Sequence, residues 1–176
     1  MLEIKDKTFI PFIGQEAIQN RIAELAGQIN QDYKGKQPLL VGVLNGSFLF
    51  AADLMKNLTI PCEITFIRVA SYAQMASTGK VKEILGLQEA VEGRDLIVIE
   101  DIVDTGLTLA QIREQLESLK PASIALATLL FKPEALIKEL TLDYVGFEIE
   151  NRFVVGYGLD YDGLGRNSKD ILVLQA

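Results

Sequence analysis

The residues best suited to chemistry lie in one stretch, Glu100-Asp101-Ile102-Val103-Asp104-Thr105-Gly106-Leu107-Thr108, directly after the apolar run Leu96-Ile97-Val98-Ile99. Two adjacent carboxylates are poorly explained by folding alone. Burying them unpaired is expensive, so they should face a ligand hydroxyl, a cation or water. The turn that follows enters a helix, and its backbone N–H groups with the helix N-terminus form an anion cradle to which Thr105 and Thr108 add hydroxyl donors. Gly106 permits the positive φ and close backbone approach that such a loop needs. Acids beside a phosphate cradle match a phosphorylated sugar: the diol to Glu100 and Asp101, the phosphate to residues 104–108. The plainer alternative is that Thr105 or Asp104 caps the helix and the acids merely end a strand. It accounts for Thr105 and leaves Glu100 and Asp101 unexplained. Neither G-x-x-x-x-G-K-[ST] nor a G-x-G-x-x-G after a strand is present, so triphosphate hydrolysis and dinucleotide binding lose support.

Positioning those residues requires a scaffold, and the hydrophobic periodicity describes one. Residues 14–30 predict an amphipathic helix carrying Ile18, Ile22, Leu25 and Ile29 on one face. An apolar run over 39–44 predicts a strand ending at Asn45-Gly46-Ser47, followed by a helix over 48–58 and a second strand over 64–70. Residues 71–93 read as a long excursion, part hairpin. A short strand over 96–99 and a loop precede a helix over 107–119 with Leu109, Ile112, Leu116 and Leu119 on its apolar face, stopped by Pro121. Another buried strand is expected over 123–131, and short ones over 145–149, 153–157 and 171–174. Apolar runs alternating with amphipathic helices predict an α/β architecture, a parallel sheet covered on both faces. The short strands near the two ends predict a smaller antiparallel appendage. In an open parallel sheet ligands sit at the carboxyl ends of the strands, which places the residues after Ile99 in the site.

Composition narrows the chemistry. The 176 residues are 49% hydrophobic, which suits one compact domain that buries roughly 70% of its extended surface without staples. There is one cysteine, Cys62, so no intramolecular disulfide forms and a reducing cytoplasm is the expected compartment. No signal-peptide layout and no apolar run of about 18 residues is found, which argues against a membrane span. A net charge of −7 with no basic run argues against a nucleic-acid surface. The chain has no histidine, which excludes Ser-His-Asp and Cys-His machinery and His-ligated zinc, and leaves proton transfer to a carboxylate, with Lys, Tyr or Cys as the less favoured alternatives.

Residues 99–108 resemble the phosphoribosyl-pyrophosphate motif of type I phosphoribosyltransferases. More closely, the chain resembles the hypoxanthine/guanine phosphoribosyltransferases, from Val43-Leu44-Asn45-Gly46-Ser47 through Ser71-Tyr72 and Ser77-Thr78-Gly79 to Asp143-Tyr144-Val145-Gly146-Phe147-Glu148-Ile149, Phe153-Val154-Val155-Gly156-Tyr157-Gly158-Leu159-Asp160-Tyr161 and Arg166. The resemblance implies a Rossmann-like parallel sheet flanked by helices, with a core at about 14–132 and a small hood from 1–13 and 133–176. It implies transfer of a phosphoribosyl group to hypoxanthine, and guanine, in purine salvage. Glu100 and Asp101 would hold the ribose hydroxyls and Mg²⁺, Asp104 to Thr108 would wrap the 5-phosphate, and Asp104 would act as general base near N7 of the purine. Lys132 would donate to O6, Phe153 would stack on the base, the Val154 backbone would read its edge, and Asp160, beside the purine, would ligate a second Mg²⁺. Leu44, Asn45, Gly46 and Arg166 would bind pyrophosphate, while Ser71 and Tyr72 would belong to a lid over 71–80. The resemblance also implies a homodimer or homotetramer. Each role has a plainer counterpart: a solvated strand-end lysine at 132, a core aromatic at 153, an ordinary surface loop at 71–80.

One departure stands out. The family often has Lys-Gly after the position of Leu44, where this chain has Asn45-Gly46. A backbone role in pyrophosphate binding, with a cis peptide between these two positions, is expected to survive while a cationic side chain is lost. A phosphoribosyl-pyrophosphate sensor without turnover is disfavoured, since Asp104 and Lys132 are both present. A transferase for xanthine or a pyrimidine is the remaining alternative.

Overall fold

The computed structural model describes residues 1–69 and 84–175; the expected lid residues Ser71 and Tyr72 lie outside them. The order of elements is β1 (Leu2–Ile4), β2 (Lys7–Ile13), α1 (Gln15–Asp32), β3 (Leu39–Val43), α2 (Phe48–Asn57), β4 (Glu63–Val69), β5 (Ile84–Leu85), β6 (Asp95–Val103), α3 (Leu107–Ser118), β7 (Ser123–Phe131), β8 (Tyr144–Glu148), β9 (Val154–Val155) and β10 (Ile171–Leu174). The large sheet runs β5-β4-β3-β6-β7-β8. All its pairings are parallel except that of β5 with β4.

Strand alternation divides the core into two layers. Leu40, Ile97 and Ile99 pack with the buried residues of α1 (Ile18, Ile22, Leu25, Ala26, Ile29) and α2 (Phe50, Ala51, Leu54) on one face. Leu39, Val41, Leu96 and Val98 pack with Leu109, Ile112 and Leu116 of α3 on the other. Burying each such side chain contributes about 1.5–3 kcal/mol. Leu119 departs from the expected apolar stripe: α3 ends at Ser118, and Leu119 follows it as an exposed capping residue.

A second, antiparallel sheet, β1-β2-β10-β9, forms the hood. Residues 144–148 were expected there, within the C-terminal hood segment. Instead β8 pairs parallel with β7, Ala127 against Tyr144 and Leu130 against Phe147, and extends the core sheet. The core therefore runs past residue 132, because the buried outer edge of β7 needs a hydrogen-bonding partner. Residues 153–157 form strand only at Val154–Val155; a bridge between Gly156 and Leu159 then turns the chain.

The strand carrying the acids is also longer than its sequence suggests. β6 continues through Glu100 to Val103, with Glu100 opposite Thr128 and Val103 opposite Phe131. On its other side, pairing with β3 stops at Gly42 opposite Ile99. Residues 100–103 thus keep a partner on one edge and face the 44–47 loop on the other, and that divergence opens the site.

Candidate active site

Glu100 is only 9% exposed. Its Oε1 accepts from the Asp101 amide at 3.2 Å, and Asp101 Oδ1 accepts from the Ile102 amide at 2.8 Å. Burial, and then the neighbouring Asp101 charge, push the Glu100 carboxyl well above the usual carboxylate range. Burial also raises Asp101, against the hydrogen bond with Glu100 and the more distant Arg166. Two acids with no cation between them are an unfavourable arrangement for the protein alone, and a favourable one for a ligand that brings positive charge or hydroxyl donors.

Beyond β6 the chain turns at Gly106, whose φ of 76° is left-handed. A Cβ at this glycine would lie 2.8 Å from Leu136 Cδ1 and 2.9 Å from Lys138 O. The Thr105 carbonyl accepts from the amides of Ile137 and Lys138 at 3.0 and 3.1 Å, which pins the turn to the segment after β7. The resulting cleft, about 90 Å³, is lined by Glu100, Ile102, Asp104, Thr105, Gly106 and Thr108 among others, and includes the acid pair's own Glu100. The first turn of α3 opens into it, as an anion cradle requires. A wider groove of about 750 Å³ runs along the outer face of α3, past Arg113, Glu117 and Lys138, and contains none of these acids.

Lys132 is not a solvated strand-end lysine. It is 6% exposed, and its Nζ donates to Asp104 Oδ2 at 3.2 Å, whereas the Asp104 side chain is 49% exposed. The pair joins the ends of β6 and β7, with the acid accessible and the amine held beneath it. Phe153 is 43% exposed and meets Tyr161 edge-on at 5.8 Å and Phe9 at 6.0 Å. One side of the ring is therefore anchored while the rest remains open to solvent; Val154, next to it, is buried.

The hood delivers the remaining groups. Arg166 Nη2 bridges to Asp160 Oδ1 at 2.6 Å, Asp160 Oδ2 accepts from the Gly163 amide at 2.7 Å, and Arg166 Nη1 donates to the Gly158 carbonyl at 2.6 Å. Gly158 rests on the 44–47 loop, where a Cβ would come within 2.1 Å of Gly46 O. Gly46 rests in turn on the acid, since its own added Cβ would lie 1.5 Å from Asp101 Oδ2. The acid pair, the 44–47 loop and the hood loop with Arg166 therefore form one continuous assembly. The cis peptide lies between Leu44 and Asn45, one bond earlier than expected. Sequence reasoning passed over Arg68, at the end of β4, whose Nη2 donates to Asn45 Oδ1 at 2.8 Å. The carboxyl-end rule that selected Glu100 would have found it had it been applied to β4 as well.

Residues 14–162 match the phosphoribosyl transferase domain family. The chain is 43% identical over 164 residues to a hypoxanthine-guanine phosphoribosyltransferase of Bacillus subtilis, covering 93% of this chain and 91% of that one. It is also 43% identical to one of Streptococcus thermophilus, over 99% and 97% of the two chains. A crystal structure of a hypoxanthine-guanine phosphoribosyltransferase from Bacillus anthracis superposes with a TM-score of 0.88 at 35% identity, covering 97% of this chain and 99% of that one. With the motif, the two-sheet fold and near-full-length similarity in agreement, this chain belongs to the hypoxanthine-guanine phosphoribosyltransferase family.

Proposed function

We propose that this protein transfers the 5-phosphoribosyl group of phosphoribosyl pyrophosphate to hypoxanthine, and to guanine, releasing pyrophosphate. The observation that carries the proposal is the buried acid pair without a balancing cation, whose Glu100 lines the same cleft as the first turn of α3. In this reading residues 104–108 hold the 5-phosphate, and Glu100 and Asp101 accept from the ribose hydroxyls. As the bond from C1 to pyrophosphate breaks, positive charge develops on the ribose, and the acids below it favour that charge. N9 of the purine forms the new bond to C1, and the proton carried on N7 passes to Asp104, the accessible member of the Lys132 pair. Lys132 donates to O6, and the open side of Phe153 supports the ring. Leu44, Asn45 and Gly46 line the leaving group, which Arg166 meets from the hood.

The acid pair also fits a magnesium ion. Among the described residues no cluster of three or more acidic or sulfur ligands forms a complete cage. Magnesium characteristically takes one or two carboxylates and completes its shell with water and substrate oxygens. Bound at Glu100 and Asp101, it would orient the diol and neutralise the departing phosphates. Asp160 keeps lone pairs beyond its two donors and is the candidate for a second ion.

Several coarser features agree with this reading. Among the described residues no helix is long and apolar enough to cross a membrane. The charge of −7 disfavours nucleic acid, and the single cysteine suits a cytoplasmic enzyme. We take 1–176 as one domain, since the hood loop seats on the core, and expect a homodimer or homotetramer, for which exposed Leu107 and Ile137 provide apolar surface. The test is incubation with phosphoribosyl pyrophosphate, magnesium and hypoxanthine, guanine, xanthine, adenine or uracil in turn. Formation of IMP and GMP is expected; a folded protein yielding no nucleotide overturns the proposal.

A further inference from the structure

We infer that Arg68 binds the pyrophosphate group, with Asn45 as the residue that positions it; this rests on the transferase reading above. The 44–47 loop must receive a strongly charged leaving group, yet its side chains bring no cation. The amides of Leu44, Ser47 and Phe48 are directed at Ile67 O, Val43 O and Asn45 O. Only the amides of Asn45 and Gly46 remain as candidates within the loop, and two neutral donors are a weak match for pyrophosphate.

Arg68 supplies what the loop lacks. Val43 pairs with Ile67, so Arg68 lies one residue further on, level with the loop and at the carboxyl end of its neighbouring strand. Its side chain is exposed, and the acceptor that holds it is a neutral amide oxygen. The contrast with other arginines is instructive. Arg21, Arg94, Arg113 and Arg166 each bridge to a carboxylate, whereas among the described residues no acid pairs with Arg68. A guanidinium has five N–H donors in a planar fork, so one bond to Asn45 fixes its direction without neutralising its charge. That fork matches two phosphate oxygens at once, which a single ammonium does not. A lysine at position 45 would repel Arg68; an asparagine orients it. The uncharged residue at 45 thus moves the cation to β4 rather than abolishing it. With Arg166 approaching from the hood, two arginines address the same leaving group.

The test compares wild type with Arg68→Gln, Arg68→Lys and Asn45→Asp. Titration calorimetry measures binding of pyrophosphate with magnesium, and initial rates give KM for phosphoribosyl pyrophosphate and for hypoxanthine. Losing one charge-assisted contact should weaken pyrophosphate binding and raise the donor KM about tenfold in Arg68→Gln. Asn45→Asp leaves β4 untouched but places a carboxylate against the guanidinium, and should weaken pyrophosphate comparably; Arg68→Lys should lie between these variants and wild type. The hypoxanthine KM should stay within about twofold throughout, a split that a merely structural role would not produce. Pyrophosphate affinity within about twofold of wild type in both Arg68→Gln and Asn45→Asp overturns the inference, as does an equal loss of base affinity. If wild type itself makes no nucleotide, it is the transferase reading that fails.

Discussion

Two groups of half-hidden carboxylates in this molecule have opposite surroundings. Asp53, on α2, receives the hydroxyl of Tyr157 at 2.5 Å, the amide of Gln19 at 2.7 Å and the ammonium of Lys56 at 2.5 Å. Burial works against its charge, but Lys56, Tyr157 and Gln19 outweigh that and hold the carboxyl below its ordinary range. Glu100 and Asp101 receive backbone amides and each other, and burial drives both upward. The first acid is complete without a ligand and ties α1, α2 and the hood together. Nothing comparable compensates the second group, and carboxylates left in that state are found more at functional sites than in structural networks. A buried acid signals function less by its burial than by what fails to compensate it.

This contrast can be tested by removing carboxylates one at a time. Asp104→Asn should have the largest effect, lowering turnover about 10²–10⁴-fold while donor binding is mostly kept, because on the proposed role it removes the proton acceptor and, with it, the carboxylate partner of Lys132; single-turnover kinetics with calorimetry of the donor checks it. Glu100→Gln should lower turnover about 100-fold, yet its melting temperature should equal or exceed that of wild type, since like-charge repulsion is relieved. A fall in both would place Glu100 with the structural acids. Asp53→Ala should do the reverse. Stranding Tyr157 and Gln19 should lower stability by about 1–3 kcal/mol in urea titrations, with turnover largely kept below the transition. The smallest effect concerns pH. Because folded Asp53 titrates below its ordinary value of 3.8, its contribution is complete above that value and is lost as pH falls through the lower folded one. Stability curves for wild type and Asp53→Ala should therefore converge on acidification below about pH 4.

Much of the fold was legible because its signals are local. The stripe Ile18, Ile22, Leu25, Ile29 marks α1 to within a turn of its observed ends, and Gly106 with the Asp104–Thr108 turn marks the start of α3. What escaped is non-local. Glu100 and Asp101 look like the end of a strand, and only the length of β7 shows that β6 continues beneath them. The strand at 144–148 carries no mark telling which of two sheets it will join; an unpaired edge elsewhere in the chain decides that. The site residues divide along the same line. The acid pair and the Asp104–Thr108 turn are contiguous and could be found together, whereas the burial of Lys132 under Asp104 and the reach of Arg68 to Asn45 depend on neighbouring strands that sequence spacing does not reveal.

The stack of Gly158 on Gly46 on Asp101 has a mechanical consequence. Where three segments meet with only hydrogen atoms between them, a single methyl group acts as a shim. At position 158 it would lift the C-terminal arm off the loop beneath, and at 46 it would prise that loop from the carboxylate. Thickness at these two points sets how closely the hood loop, the 44–47 loop and the acid at 101 can approach one another.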